Sequence, residues 1–452
     1  MRGYAACESR TAKVAESADA DKDERQKSCS KLTPSPETDI SQATEHLVSP
    51  MSSVRQRLFD QKHLRKAWKA ISKRKLHSQG LDGVTIKAFQ QTIDQQIEKI
   101  AFELKHQSYR FTPARGVLLP KPGVAKRRPI KIPAVRDRVV LKAIALLIEE
   151  RFSKYNLSCS YGYVKGRGAK DAIQRVRELA NQGNDIVLEA DITKFFDTVD
   201  REILIGRFLA EIKYRSLESL IREALTVELG NLTSFTDDEQ KMFPTADSGI
   251  PQGGVLSPML ANFYLYPFDQ AMMTAGFNLV RYADDFVVMC KTEAEAKEAL
   301  VVCKEILEKQ LHLTLHPLGS IKARIVNFSK GLVFLGTEFK ANRAVPSGAV
   351  VDKFRAKVAA ILDAGQGKSL LQTLTSLKNT TIGWGQCYRD LDVVLIYAEL
   401  DDFIREKTSH YLTSYEFLNQ GRILNKKQLE LLGVPLLGRL VRKGKQFRAG
   451  AS

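Results

Sequence analysis

Cysteine is scarce and unpaired, with six residues in 452, no Cys-x-x-Cys pair and no histidine at metal-ligand spacing. That pattern suggests neither a zinc site nor a disulfide framework, and a reducing, cytoplasmic setting is expected. Long apolar runs are missing too. No run reaches bilayer-spanning length and the N-terminus lacks the apolar region of a secretory signal, so a soluble chain with no membrane partner is expected. No internal repeat recurs. Acidic residues are in deficit: Lys and Arg outnumber Asp and Glu by 69 to 52, a net charge of +17. An excess of that size usually faces a polyanion, nucleic acid first. It belongs to the body of the chain, because residues 1–50 hold 7 basic and 9 acidic side chains and the other 402 carry +19.

What is present divides into four stretches. Residues 1–54 are rich in Ala, Ser, Asp, Glu and Lys and read as a disordered or weakly ordered tail, too poor in apolar surface to offset the entropy of ordering. Met51 opens a sequence that reads as a natural start, which leaves residues 1–50 either an upstream extension or the product of a wrongly assigned start. Residues 55–180 begin with an amphipathic basic helix carrying Leu58, Leu64, Trp68 and Ile71, and continue through Pro- and Gly-broken β runs around "LPKPGVAKRRPIKIP". Residues 181–345 alternate apolar strands with helices. From 346 to 452 the pattern is helical, with a basic end. Residues 202–226 read as one helical stretch, 228–247 as a polar loop or insertion, and "GLVFLGTEF" as a strand pair.

Two stretches carry the chemistry. In "RYADDFVVMC" the apolar runs on either side of Ala283 and Asp284 have the pattern of a hairpin with a very short turn, placing Asp284 at an exposed tip. In "LEADITKFFDTVD" an apolar strand ends at Asp191. Each carboxylate alone is ordinary turn or strand-end polarity. Together at one sheet edge they would suit Mg²⁺, which binds through a few carboxylates plus substrate phosphates. "SGIPQGGVLSPMLANFYL" adds a glycine-rich loop where Gln252 offers donors and an acceptor to a base edge or ribose. Lys121, Lys126, Arg127, Arg128 and Lys131 suit phosphate contacts.

The order of these stretches resembles a reverse transcriptase of the bacterial group II intron type, over residues from about 55 to 415. The motifs are "GLDGV", "PKPG" with "RPIKIPAVRDR", "SYGYVKGRGAKDAI", "ADITKFFDTVD", "PQGGVLSPMLANFYL", "RYADDFVV", "FLGTEF" and, in the helical region, "IGWGQCYRDL". The resemblance implies an α+β right-hand polymerase: fingers, a palm with an antiparallel sheet, then an α-helical thumb or maturase-like region. It implies Asp191 and Asp284 as principal ligands of two Mg²⁺ ions (Mn²⁺ as substitute), Asp285 as an auxiliary one, and the Ile192 carbonyl as a further donor. Lys121 and Arg128 would grip the triphosphate, Phe196 would gate the sugar, Gln252 would contact the incoming nucleotide, and Lys322 would protonate pyrophosphate. Tyr282, Gly253, Arg136 and Gly336 would contact primer or template.

The implied partners are an RNA template, a DNA or RNA primer, deoxynucleoside triphosphates and a structured intron or other non-coding RNA. Three departures stand out: no endonuclease cluster follows the helical region, the polar stretch from Asp200 to Gln252 is long, and the match beyond Leu418 is loose. A maturase acting mainly as an RNA-binding splicing cofactor is the alternative function. Recruitment to antiviral defence, a CRISPR-associated role or DNA repair would use the same active site, and sequence does not separate them.

Overall fold

A computed structural model describes residues 56–73, 79–120, 127–212, 217–243, 248–340, 343–365, 369–415 and 422–441. The N-terminal tail expected over 1–54, the basic end after 441, Lys121 and Lys126 lie outside the described residues, save that the described part begins at Gln56.

Helix α1 (Gln61–Ser72) buries Leu64, Ala67, Trp68 and Ile71 on one side, and the Asp60 side chain accepts from the Lys62 amide at its start. It packs with α2 (Ile86–Gln91), α3 (Ile93–Lys105) and α4 (Val135–Phe152) around Phe89, Ile97, Val139 and Ile144. Between α3 and α4, strands β1 (Arg115–Pro120) and β2 (Arg127–Ile132) form a two-stranded antiparallel sheet of their own.

Helix α5 (Ala169–Asn181) leads into β3 (Ile186–Asp191), followed by α6 (Phe195–Thr198), α7 (Arg201–Ile212), α8 (Glu218–Thr226), α9 (Asp237–Gln240) and α10 (Ser257–Thr274). The stretch expected as helical over 202–226 holds α7 and α8. The hairpin β4 (Asn278–Tyr282) and β5 (Asp285–Cys290), helix α11 (Glu293–Lys304) and β6 (Ala323–Asn327) complete a sheet ordered β4-β5-β3-β6, every pair antiparallel. Its strands are apolar on both faces because both are covered. Val187, Val280, Val287 and Met289 pack with Ala172 and Val176 of α5, while Leu188, Ala190, Phe286 and Val288 share a core with Leu260, Phe268 and Met272 of α10.

The strands β7 (Leu332–Phe334), β8 (Thr337–Lys340) and β9 (Arg343–Pro346) form a third antiparallel sheet. Only its first two strands were expected, because β9 is four residues long with a proline at its end and gives no alternating run to read. From Gly348 the chain is helical, with α12 (Gly348–Asp363), α13 (Leu370–Tyr388), α14 (Val394–Leu412) and α15 (Lys426–Leu431) around a separate core that includes Phe354, Leu377, Trp384, Tyr397 and Leu437. Lys170 Nζ donates to the Gln386 carbonyl and to Asp390, both at 2.9 Å, and Asp392 accepts the Ala344 amide at 2.8 Å, tying α5 and β9 to the end of α13.

Cys159, Cys290 and Cys303 are free and buried. Among the described residues no helix is long and apolar enough to cross a membrane.

Candidate active site

Asp191 ends β3 directly opposite Asp285, the first residue of β5, and opposed residues of an antiparallel pair share one face of the sheet. Tyr282 pairs with Asp285 across a two-residue turn of Ala283 and Asp284, with Ala283 in the left-handed region at φ 60°. The short hairpin is as expected, but Asp284 is not at an exposed tip: it is only 5% exposed. The segment Cys159–Gly162 covers the turn. Arg281 and Tyr161 exchange backbone hydrogen bonds with this stretch at 2.8 Å (Arg281 N to Cys159 O, Tyr161 N to Arg281 O), and a Cβ on Gly162 would lie 2.4 Å from the Ala283 nitrogen. No flexible side chain is there to yield. Gly162→Ala is therefore expected to cost about 1–3 kcal/mol and to displace the turn; a variant with wild-type denaturant midpoint would contradict this packing.

Beneath the turn sits a residue that sequence reasoning missed. Arg281 is fully buried, and all five guanidinium donors are used. Two go to Asp269 in a bidentate pair, one to Asn262 Oδ1 at 3.1 Å, one to Ser160 Oγ at 2.8 Å and one to the Ala283 carbonyl at 2.8 Å. Asn262 also donates to the Gly162 carbonyl at 2.9 Å, so the covering segment and the turn share one polar network. Burial pushes the Asp269 carboxyl up, and the Arg281 guanidinium opposes that shift. Burial also works against the Arg281 cation, but Asp269 outweighs it and Asp284 adds to the hold, so the guanidinium stays charged. The signal was available: Asp269 lies inside an otherwise apolar helix, and a buried carboxylate requires a partner.

Asp191 faces an amine and an imidazole. Lys322 Nζ lies 2.6 Å from Asp191 Oδ2, and His316 Nε2 lies 3.2 Å from that nitrogen and 3.8 Å from the same carboxylate oxygen. The His316 amide donates to the Asp191 carbonyl at 3.1 Å, and the buried Ile192 bridges to Leu315. Among the described residues no group of three or more His, Cys, Asp or Glu forms a ready-made metal cage. Mg²⁺ needs none, since it usually takes one or two carboxylates, waters and substrate phosphates. The all-oxygen donor set fits it, and the Lys322 ammonium marks where Asp191 already holds a positive charge.

Around this edge, Phe196 is half-buried beside Phe195, and its carbonyl accepts the Ile250 amide at 2.7 Å. Gln252 Nε2 donates to Asp197 at 3.0 Å, and its carbonyl accepts the Lys131 amide at 3.3 Å. The Gln252 loop thus joins α6 to β2, with Gly253 at φ 91° against Ile130. Arg128 is partly exposed on β2, and Tyr282 is half-buried at the end of β4. Two residues expected at primer or template also have contacts within the chain. Arg136 pairs with Glu103 and lies 4.8 Å over the Tyr109 ring, and Gly336 turns β7 into β8 beside Val350 and Tyr388.

Residues 119–339 match the family described as reverse transcriptase (RNA-dependent DNA polymerase). The chain carries a reverse transcriptase domain. Protein YkfC of Escherichia coli (strain K12) is 29% identical over 59% of this chain and 77% of its own length. The group II intron-encoded protein LtrA of Lactococcus lactis subsp. cremoris is 30% identical over 40% of this chain, a match that spans 28% of LtrA. With these relatives the domain is similar to those of group II intron-encoded proteins. Among solved structures, a chain of a partial Cas6-RT-Cas1–Cas2 complex is 24% identical over 56% of this chain and 42% of its own, with a TM-score of 0.34. The fingers hairpin that the resemblance implies would be β1 and β2, its palm the four-stranded sheet, and its helical region α12–α15.

Proposed function

We propose that the chain extends a primer 3′ end with deoxynucleotides on an RNA template, with Asp191, Asp284 and Asp285 and the Ile192 carbonyl as the metal-binding edge. The observation that carries this reading is the register of β3 against β5: it sets Asp191 opposite Asp285 at the mouth of a braced turn, within a reverse transcriptase domain. Two Mg²⁺ ions bound there, or Mn²⁺ in their place, would supply activation of the primer hydroxyl and charge balance for departing pyrophosphate. Lys322, which donates to Asp191, would give a proton to that leaving group. Arg128 and Lys121 would hold the triphosphate, Gln252 the nucleotide, and Tyr282, Gly253, Arg136 and Gly336 the primer–template duplex.

The net charge of +17 suits a duplex gripped through phosphates, so binding should weaken steeply with salt. The intron-encoded relatives favour a structured intron or related RNA as template, and recruitment to a host role would use the same edge. Phe196 would lie against the sugar and exclude a 2′-hydroxyl. Phe196→Val is expected to raise ribonucleotide incorporation while keeping deoxynucleotide extension; RNA-templated primer extension with each nucleotide class measures it. An unchanged preference would remove Phe196 from the gate.

A further inference from the structure

The fingers hairpin is an isolated two-stranded ribbon, and such ribbons are marginal in water without a third strand or a packed face. Its outer edge is occupied by the stretch after α8. The Ala114 amide donates to the Glu228 carbonyl at 2.9 Å and the Ala114 carbonyl accepts from the Gly230 amide at 3.0 Å, a parallel bridge onto the chain just ahead of β1. Two residues further on, the edge pairing continues through a side chain: Asn231 Oδ1 accepts the Gly116 amide at 2.7 Å and Asn231 Nδ2 donates to the Gly116 carbonyl at 3.1 Å. The carboxamide stands in for a peptide group. Both backbone groups of Gly116, and both of Ala114 just ahead of it, are satisfied in this way.

Three further contacts lock the same junction. Phe235 and Phe243 meet with their rings tilted 52° and 5.0 Å apart over Gly116, where an added Cβ would come within 3.1–3.2 Å of both rings. Glu239 divides its carboxylate, one oxygen on the Thr236 amide at 3.1 Å and the other on Arg127 at 2.5 Å, next to Arg128. Lys131 Nζ reaches the Val227 carbonyl at 3.1 Å, while the Lys131 amide holds Gln252. Val227, Asn231, the Phe235–Phe243 pair and Glu239 all meet the hairpin that carries Arg128, and Glu228 and Gly230 hold the residue just ahead of it.

We propose that residues 227–243 are a clasp that fixes the fingers hairpin and thereby sets affinity for the incoming triphosphate, with Asn231 as its positioning residue. The proposal rests on the polymerase reading for its kinetic consequence. Its structural half stands apart from activity.

The test uses the full chain with Asn231→Ala, in RNA-templated primer extension and in hydrogen exchange read by mass spectrometry. The KM for deoxynucleotide is expected to rise roughly tenfold, as for two lost hydrogen bonds, with kcat at saturating nucleotide unchanged. Amides of residues 113–120 are expected to exchange faster, while those of β3 and β5 keep wild-type protection. An unchanged KM overturns the proposal, as does wild-type exchange at 113–120 or acceleration throughout the chain, which would mark Asn231 as a general stabiliser. A wild-type chain that polymerises nothing would sink the polymerase reading instead, and the exchange result would still decide whether the clasp exists.

Discussion

Arg281→Met is expected to lose about 3–5 kcal/mol of stability, because it leaves Asp269 as an uncompensated buried charge. The loss is larger than that of an ordinary surface pair, since both side chains are fully buried. Arg281→Lys should recover little: an ammonium has three donors on a point charge and cannot form the planar bidentate pair while reaching Asn262, Ser160 and the Ala283 carbonyl. The double variant Arg281→Met with Asp269→Leu removes both charges at similar volume and is expected to regain much of the stability. It also removes the donor to the Ala283 carbonyl, so polymerisation should stay impaired in a chain that folds. Denaturant unfolding of the three variants reads the first effect and primer extension the second. A single variant as stable as wild type, or a double variant no more stable than the single, would contradict the buried-pair account.

Asp191→Asn and Asp284→Asn are each expected to lower primer extension by about 10³-fold or more, the scale of several kcal/mol of metal-borne transition-state stabilisation. Neither should unfold the chain. The Lys322 partner of Asp191 is half exposed, at 51%, and water replaces what the carboxylate supplied; exposed pairs are worth only about 0–1 kcal/mol. Asparagine also keeps the shape of Asp284 in its buried turn. Midpoints of unfolding within the scatter of wild type, together with lost extension, would separate chemistry from folding. Robust extension by either variant would dismiss the metal-binding edge.

Much of this site was legible in the sequence, because its parts lie on strongly patterned elements. An apolar run ending at Asp191 and two apolar runs around Ala283 and Asp284 can scarcely be anything but buried strands, and their joining in one antiparallel sheet follows. What was not legible depends on contacts distant in the chain. The burial of Asp284 comes from Cys159–Gly162, more than a hundred residues earlier, and the brace beneath it from Asp269 on α10. The stretch 228–247 read as a polar loop since its polar side chains, Asn231 above all, serve the backbone of another element rather than a period of their own. Strand β9 was too short to show alternation. Arg136, which the resemblance sets at primer or template, also has partners within the chain, Glu103 and the Tyr109 ring, which its sequence neighbours do not announce.

The measurement that bears most directly on the account is extension of a DNA primer on an RNA template, with Mg²⁺ and deoxynucleotides, by wild-type protein and Asp284→Asn at equal folded concentration. The account predicts template-dependent extension by the wild type and none above background by the variant. No extension by folded wild-type protein with either Mg²⁺ or Mn²⁺, or equal rates for the two proteins, would contradict it.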